Sequence, residues 1–417
     1  MKLIKRIRLK EFVSSVKAMR MNRQASKRDC LVASFITLIL AIGVFGAAQD
    51  ESPIRGRSEM LSTEGVSLVF AGDALFGRSF SENQDPKLKE LFEIFQQADA
   101  SFINLEQVMS NKGSGDPDHS RLVRANPELL SEIQWAGVDA VSLANNHSMN
   151  YGPEGLLGTI SELDRLGIQH AGGGANIQEA QAAAVIQVSG LKVGLLSLYS
   201  GSSSTSTASM EIAGKARPGM FLLRASQVNI GGERIVAPVA ADLETMINTI
   251  QRTRPTVDIL AVSIHMHWGK TFQEEFPSYQ RMVARSAIDA GADLFVVHGP
   301  HVPRGIEAYR NGFIAYSIGN LFWNLKDLGI NPNSNPLYML DEAFQSILVR
   351  AIVLDGEIRR LEILPIYMYP KGDYQGIPHL PDEVKNREIL DRVKRLSADL
   401  NTKLTIESWY GVIESSR

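Results

Sequence analysis

The sequence predicts an α/β protein with β-hairpins toward its C-terminus, and three observations carry that prediction. Between residues 66 and 298, short apolar runs alternate with segments of helical periodicity. Beyond residue 300 the pattern changes to strand pairs joined at Asn311-Gly312 and Asp355-Gly356, residue pairs that supply the positive φ of tight hairpin turns. The composition is that of a globular chain: 21% charged and 44% hydrophobic over 417 residues, enough to bury a large core.

Taken in order, VSLVFAGD (66–73) reads as a buried strand ending in a Gly-Asp turn. Residues 86–98 carry Leu88, Leu91, Phe92 and Phe95 at helical spacing, and SFINLE (101–106) is again a short strand. Helix 127–136, strand 138–143, helix 153–166 and a strand near 168–171 continue the alternation, followed by the strand KVGLLSLYS (192–200). After a Ser/Thr-rich loop (201–209) come a helix near 240–253, strand 258–265, helix 277–290 and strand 293–298. Such alternation predicts a largely parallel, buried sheet flanked by helices. The two hairpins occupy 305–320 and 346–366, with an Asn- and Pro-rich surface loop at 326–340 between them and an amphipathic helix at 382–400 behind them.

The N-terminus reads differently. Residues 2–28 hold ten Lys or Arg against one acid, and residues 31–48 run without a charge. A basic arm (1–30) before an apolar run predicts a signal anchor or a signal peptide cleaved after Ala48, with a polar linker (49–65) beyond. The long arm favours the anchor, and the positive-inside bias keeps that arm cytoplasmic. The expected location is therefore the bacterial cell membrane, or secretion if the chain is cleaved after Ala48, with residues 66–370 as an extracytoplasmic domain and 371–417 as a helical extension. A buried core helix at 31–48 would not need the basic flank. Cys30 lacks the small apolar residues that precede a lipidated cysteine. As the single cysteine it also excludes an intramolecular disulfide and a thiolate-ligated zinc site. The net charge of −3 offers no field for nucleic acid.

Five polar clusters fall where predicted strands end, the place where α/β sheets bind ligands. They are Gly72-Asp73, Asn104-Leu105-Glu106, Asn145-Asn146-His147, His265-Met266-His267-Trp268-Gly269 and His298-Gly299-Pro300-His301. Each has an ordinary explanation. Asp73 suits a turn or helix cap; Glu106 suits a surface. Asn145 and Asn146 tolerate positive φ. His265 and His267 share a strand face, so one of them can hydrogen-bond in the core, and His298 and His301 flank a Gly-Pro turn. Taken together the clusters say more. Five of the eight histidines lie in them, with carboxylates and amides but no thiolate, a donor set suited to Mn, Fe, Zn or Co. Two such ions about 4 Å apart would clamp a phosphoryl group. His119, His170 and His379 stand alone and receive no role.

The segments VFAGDALFGR, FINLE, SLANNHSMNYG, RPG (217–219), SIHMHWG, IDAGADLFVVHGPHVPRGIEAY and IAYSIGN resemble the CapA family of capsule and poly-γ-glutamate synthesis proteins, within the calcineurin-like metallophosphatase superfamily. The resemblance spans roughly residues 66–325. It implies a layered β-sandwich flanked by helices, holding two divalent metal ions. It further implies Asp73 as ligand to one ion and Glu106 as the bridging carboxylate. Asn146 and His267 would ligate the second ion, His298 and His301 would complete the two shells, and His147 would protonate the leaving oxygen. Three positions depart from the family pattern: Asn150 where an acid is usual, Val297 where glycine is usual, and Thr271 where glutamate is common. The implied partners are an anionic polymer or phosphoester substrate and an envelope polymer-synthesis complex. A general metal-dependent phosphoesterase and a non-catalytic, metal-stabilised polymer-binding scaffold are the alternatives.

Overall fold

The first strand, β1 (Val66–Leu75), is buried along nearly its whole length, which requires cover on both faces. Leu68 and Phe70 point into one apolar cluster, Val69 and Ala71 into another. The structure, a computed structural model, describes residues 64–115, 121–201, 217–230, 233–267, 274 and 277–415. Residues Met60–Arg417 form one compact unit. The basic arm, the apolar run 31–48, His119, Thr271 and most of the Ser/Thr-rich loop lie outside the described residues. No described helix is long and apolar enough to cross a membrane.

Parallel to β1 run β2 (Ala100–Leu105), β3 (Ala140–Ser142) and β4 (Gln169–Ala171). The intervening helices α1 (Pro86–Gln97), α2 (Leu130–Trp135) and α3 (Gly152–Leu166) cover one face of this sheet. Asp85 starts α1 by accepting from the Lys87 amide ahead of Pro86, and Leu88, Leu91, Phe92 and Phe95 form its buried stripe. Gly167 ends α3 in the left-handed region at φ 74°. The segment read as helix 127–136 divides into a 3₁₀ turn (Pro127–Leu129) and α2.

The chain then enters a second sheet. β5 (Ala184–Val188) lies antiparallel to β6 (Leu191–Ser200), which is followed by β7 (Ile259–Met266), β8 (Leu294–His298), β9 (Ile306–Tyr309) and β10 (Gly312–Ala315) in the spatial order β9-β10-β8-β7-β6-β5. Helices α4 (Ala240–Thr253) and α5 (Ser278–Asp289) pack on its outer face. Strand β11 (Asn320–Trp323) returns to β1, and β12 (Gln345–Leu354) with β13 (Glu357–Met368) extends the first sheet as an antiparallel hairpin. Its turn places Asp355 at φ 52° and Gly356 at φ 75°. β14 (Pro378–His379) and the terminal pair β15 (Thr405–Glu407) and β16 (Tyr410–Glu414) complete the ten-stranded sheet.

Leu68, Phe70 and Phe102 of one sheet meet Leu195, Ala261 and Val296 of the other, so the two sheets pack face to face. The architecture is helix, sheet, sheet, helix, the layered sandwich the resemblance implies. Helix α6 (Glu383–Ala398) contributes Ile389, Leu390 and Val393 to the inter-sheet core. The alternation taken alone reads as one buried sheet. It fixes the order of neighbours within a βαβ run but carries no mark at the crossover after β4, where the chain changes sheet.

Candidate metal centre

The C-terminal ends of β1, β2 and β3 in one sheet and of β7 and β8 in the other converge, and every sequence-predicted site residue lies there. Gly72 and Asp73 do not form a turn: β1 continues to Leu75, with its register shifting around them. A side chain at 72 would place Cβ 2.0 Å from the Gly319 carbonyl oxygen, so glycine is required for β1 to approach β11. The approach lets the Asp73 amide donate to the Gly319 oxygen at 3.1 Å and sets the Asp73 carboxylate, fully buried, at the middle of the centre.

The amides orient one another. Asn145 Nδ2 donates to the Leu105 carbonyl at 2.8 Å and to Asn104 Oδ1 at 3.3 Å. Asn104 therefore turns its Nδ2 to Asp73 Oδ1 at 2.8 Å and to His265 Nδ1 at 3.1 Å. His265 accepts at Nδ1, so its proton sits on Nε2, 3.0 Å from His267 Nε2 and 3.5 Å from Glu106 Oε1. Asn320 donates through Nδ2 to the Ala343 carbonyl at 3.1 Å, leaving Oδ1 to accept from His301 Nδ1 at 2.8 Å. The Nε2 lone pair of His301 is thereby fixed as its available ligand atom.

The segment from His298 to His301 wraps Asp73. The Gly299 amide donates to Asp73 Oδ2 at 3.0 Å, and His301 Nδ1 lies 3.1 Å from the same oxygen. Gly299 at φ 99° and His301 at φ 60° both adopt the left-handed region, a strain of order 1 kcal/mol or more at a histidine. His298 sits on the other side: its Nδ1 is 3.4 Å from Asp73 Oδ1, near enough to feel the charge but without a hydrogen bond among the described residues.

His147 lies at the wall of a cavity of about 310 Å³ that also exposes Glu106, Asn146, His267 and His301. Its Nδ1 is 2.8 Å from Asn150 Oδ1, which also accepts from the Val123 amide at 2.9 Å. Fixed as an acceptor, Asn150 holds the proton on Nδ1 and leaves Nε2 on the side of Glu106, 3.8 Å from Oε1. The amide at 150, where the family pattern has an acid, therefore keeps the orienting contact and omits only its charge.

Burial and the charge of Asp73 push the Glu106 carboxyl well above the usual range. Burial alone would raise Asp73 too, but contacts with His265, His298 and His301 hold it well below. His265 is lowered by burial against the pull of Asp73. One edge of the His267 ring reaches solvent, yet the protein packed around it and then the neighbouring imidazoles keep its pKa well below the ordinary histidine value. Within the centre His265 and His267 are thus pushed toward the neutral form and Asp73 toward the anion.

Two sets of ligand atoms, each within 4.8 Å of one another, could hold a cation: Glu106, His267 and His301, and, with the His265 tautomer reversed, Asp73, Glu106 and His265. Glu106 belongs to both. Its Oε2, the Oδ1 of Asn146 and the Nδ1 of His298 are buried without a hydrogen-bond partner among the described residues, a costly state that a coordinated ion would relieve. The donors are oxygen and imidazole nitrogen, so the residues fit a divalent cation. His265 is the member the sequence reading left open between ligand and core histidine. The His-x-His spacing places both rings on one strand face; the position of β7 brings His265 across from Glu106, where its Nδ1 accepts from Asn104. Asn320 was read only as the end of a hairpin, because its role depends on β11 pairing with β1.

The fold and the site define a four-layer α/β protein with a carboxylate–imidazole centre at its strand ends. The family model "Bacterial capsule synthesis protein PGA_cap" matches residues 67–324, and the chain belongs to that family. It is 27% identical to the PGA biosynthesis protein CapA of Bacillus subtilis, over 76% of this chain and 78% of the relative. It is 23% identical to the capsule biosynthesis protein CapA of Bacillus anthracis, over 72% and 71%. The uncharacterized protein y4sH of Sinorhizobium fredii is 26% identical over 86% of this chain and 95% of its own length.

Proposed function

We propose that the protein acts in the synthesis or anchoring of an anionic envelope polymer, capsule or poly-γ-glutamate, through hydrolytic chemistry at this centre. The observation that carries the reading is the sharing of Glu106 by two ligand sets in a chain of the capsule-synthesis family. Divalent cations held there would supply Lewis acidity to a phosphoryl or acyl group. The chain's own residues do the rest. Asp73 and Glu106 would offer carboxylate oxygens to such an ion, Asn104 and Asn145 orient Asp73 and His265, and Asn320 holds His301 in the tautomer that leaves its Nε2 lone pair open. His147, gripped at Nδ1 by Asn150, would act as the imidazolium, passing the second proton on Nε2 to a leaving oxygen in the cavity and returning to the neutral ring. In this reading residues 31–48 tether the domain on the outer side of the membrane.

The test is deletion and complementation in a polymer-producing strain. Deletion is expected to lower cell-bound polymer severalfold, restored by the wild-type gene. His147→Ala is expected to fail to restore it while retaining metal, since losing a general acid costs about 10²–10⁴ in rate. Unchanged polymer after deletion contradicts the assignment. Full complementation by His147→Ala contradicts the hydrolytic role and favours the scaffold.

A further inference from the structure

The His301 ring is flanked by a tryptophan that the chemistry above does not use, the two ring centroids lying 4.7 Å apart. Trp323 ends β11 in register with Leu75 of β1, and both line the cavity together with Val123, Leu325 and Ile330. The indole is locked in place. Its N–H donates to the Tyr338 carbonyl at 3.3 Å, and the Tyr338 ring meets it edge-on at 5.6 Å. The Trp323 amide donates to the Gly376 carbonyl at 2.8 Å. A Cβ at 376 would lie 2.0 Å from the Trp323 oxygen, so glycine is required for the two segments to meet. Leu75, Val123, Trp323, Leu325 and Tyr338 pack with Phe344 and Met368 in one buried cluster, a wall that resists displacement by a ligand.

Resting on the hydrolytic reading of the centre, we propose that Trp323 is its specificity-determining residue, and that the ligand it selects is a phosphoester of a small apolar alcohol. Two properties of the wall carry this, polarity and size. Among Leu75, Val123, Trp323, Leu325 and Ile330 the indole N–H is the one polar side-chain group, and it is turned to the Tyr338 carbonyl. A hydroxyl or carboxylate held against this face gives up water without gaining a partner there, whereas hydrocarbon gains by leaving water. The guanidinium of Arg121 also lines the cavity, but it sits 5.0 Å over the Tyr338 ring, at the far end of the series His301, Trp323, Tyr338. The cavity, about 310 Å³, is at the small end of ligand sites, and the phosphoryl group at the centre takes part of that space. What remains beside His301 admits a single ring or a short alkyl group. The indole sets that limit, because it is the largest side chain of the five.

The experiment is calorimetric binding to the full-length protein dialysed against Mn²⁺. The probes are inorganic phosphate and four phosphonates: methyl, phenyl, 4-carboxyphenyl and 1-naphthyl. Affinities are compared as ratios within each variant, so a loss common to all ligands cancels. In the wild type, phenylphosphonate is expected to bind at least tenfold tighter than the 4-carboxyphenyl and 1-naphthyl compounds. Trp323→Leu is expected to raise the naphthyl-to-phenyl ratio at least tenfold, with Trp323→Phe between. Should Trp323→Leu not fold, Ile330→Trp, at a half-buried position of the same wall, reads the opposite change: a narrower slot and a phenyl-to-methyl ratio lowered at least tenfold. A wild type that binds the carboxyphenyl compound as tightly as the phenyl one overturns the proposal, and so do ratios that none of these variants moves. If inorganic phosphate binds while the ratios stay fixed, the role of Trp323 falls and the hydrolytic reading stands. If the metal-loaded wild type binds neither phosphate nor any phosphonate, both fall.

Discussion

Replacing Glu106 with alanine is expected to abolish metal loading at both halves of the centre, because its carboxylate is the one group common to the two ligand sets. Groups that merely support ligands change affinity by about 10- to 100-fold, so losing a shared ligand sets a loss of at least about 100-fold. Elemental analysis after equilibrium dialysis is the check, and retention of wild-type metal content would contradict the assignment. The same residue fixes a pH dependence. In the metal-free protein the raised Glu106 pKa gives stability that is present below the ordinary glutamate range and is lost as the pH climbs through the elevated value, because only the folded state then keeps the proton. A cation requires the carboxylate, so its binding expels that proton and strengthens with pH. His265 and His267 are lowered by their surroundings, so they contribute less to this release than ordinary histidines would. The rise in melting temperature on adding Mn²⁺ is expected to grow between about pH 5 and about pH 8 in the wild type, and to vanish in Glu106→Ala.

Glu362→Ala is expected to be among the most destabilising single changes away from the centre. Glu362 is fully buried in β13, directly opposite Arg350 of β12, whose Nη1 donates to Oε2 at 2.7 Å; Arg360 donates to the other oxygen. Removing the acid strips a buried, 4%-exposed Arg350 of its carboxylate, and breaking such a pair costs about 3–5 kcal/mol. Urea denaturation reads the loss directly. The double change Arg350→Met with Glu362→Leu is expected to recover a large part of it, since matched apolar groups avoid the uncompensated charge. A loss below about 1 kcal/mol in the single variant would contradict this account of the hairpin.

Much of the fold was legible because its elements obey local rules. The largely apolar runs of β1, β6, β7 and β8, the stripe of α1 and the Asp355-Gly356 turn each carry their own signal. The elements that escaped lack one. β5 has two exposed residues among five, and β15 is three residues long. The turn from β15 to β16 puts Ser408, not glycine or asparagine, at φ 51°, so no turn residue announces it. A hairpin of Ala225–Ile230 with Glu233–Pro238 likewise went unread. At the centre the polar residues were legible as clusters, since each ends a strand. Their pairing was not: Asp73 meets Gly299 and Asn320 meets His301 across sheets and a crossover that no sequence spacing encodes. The family resemblance supplied the order of the motifs. The structure adds the placement of His265, the orienting amides and the contact of Asn150 with His147 Nδ1.

The central claim is that residues from Asp73 to His301 form one cation-binding centre. Metal analysis of the purified full-length protein, after dialysis against Mn²⁺ or Zn²⁺ and removal of free ion, tests it most directly. The account predicts about two equivalents per chain in the wild type, reduced to background in Asp73→Ala and Glu106→Ala without loss of the folded state. A folded wild-type protein that retains no transition metal, or variants that bind as much as wild type, would contradict it.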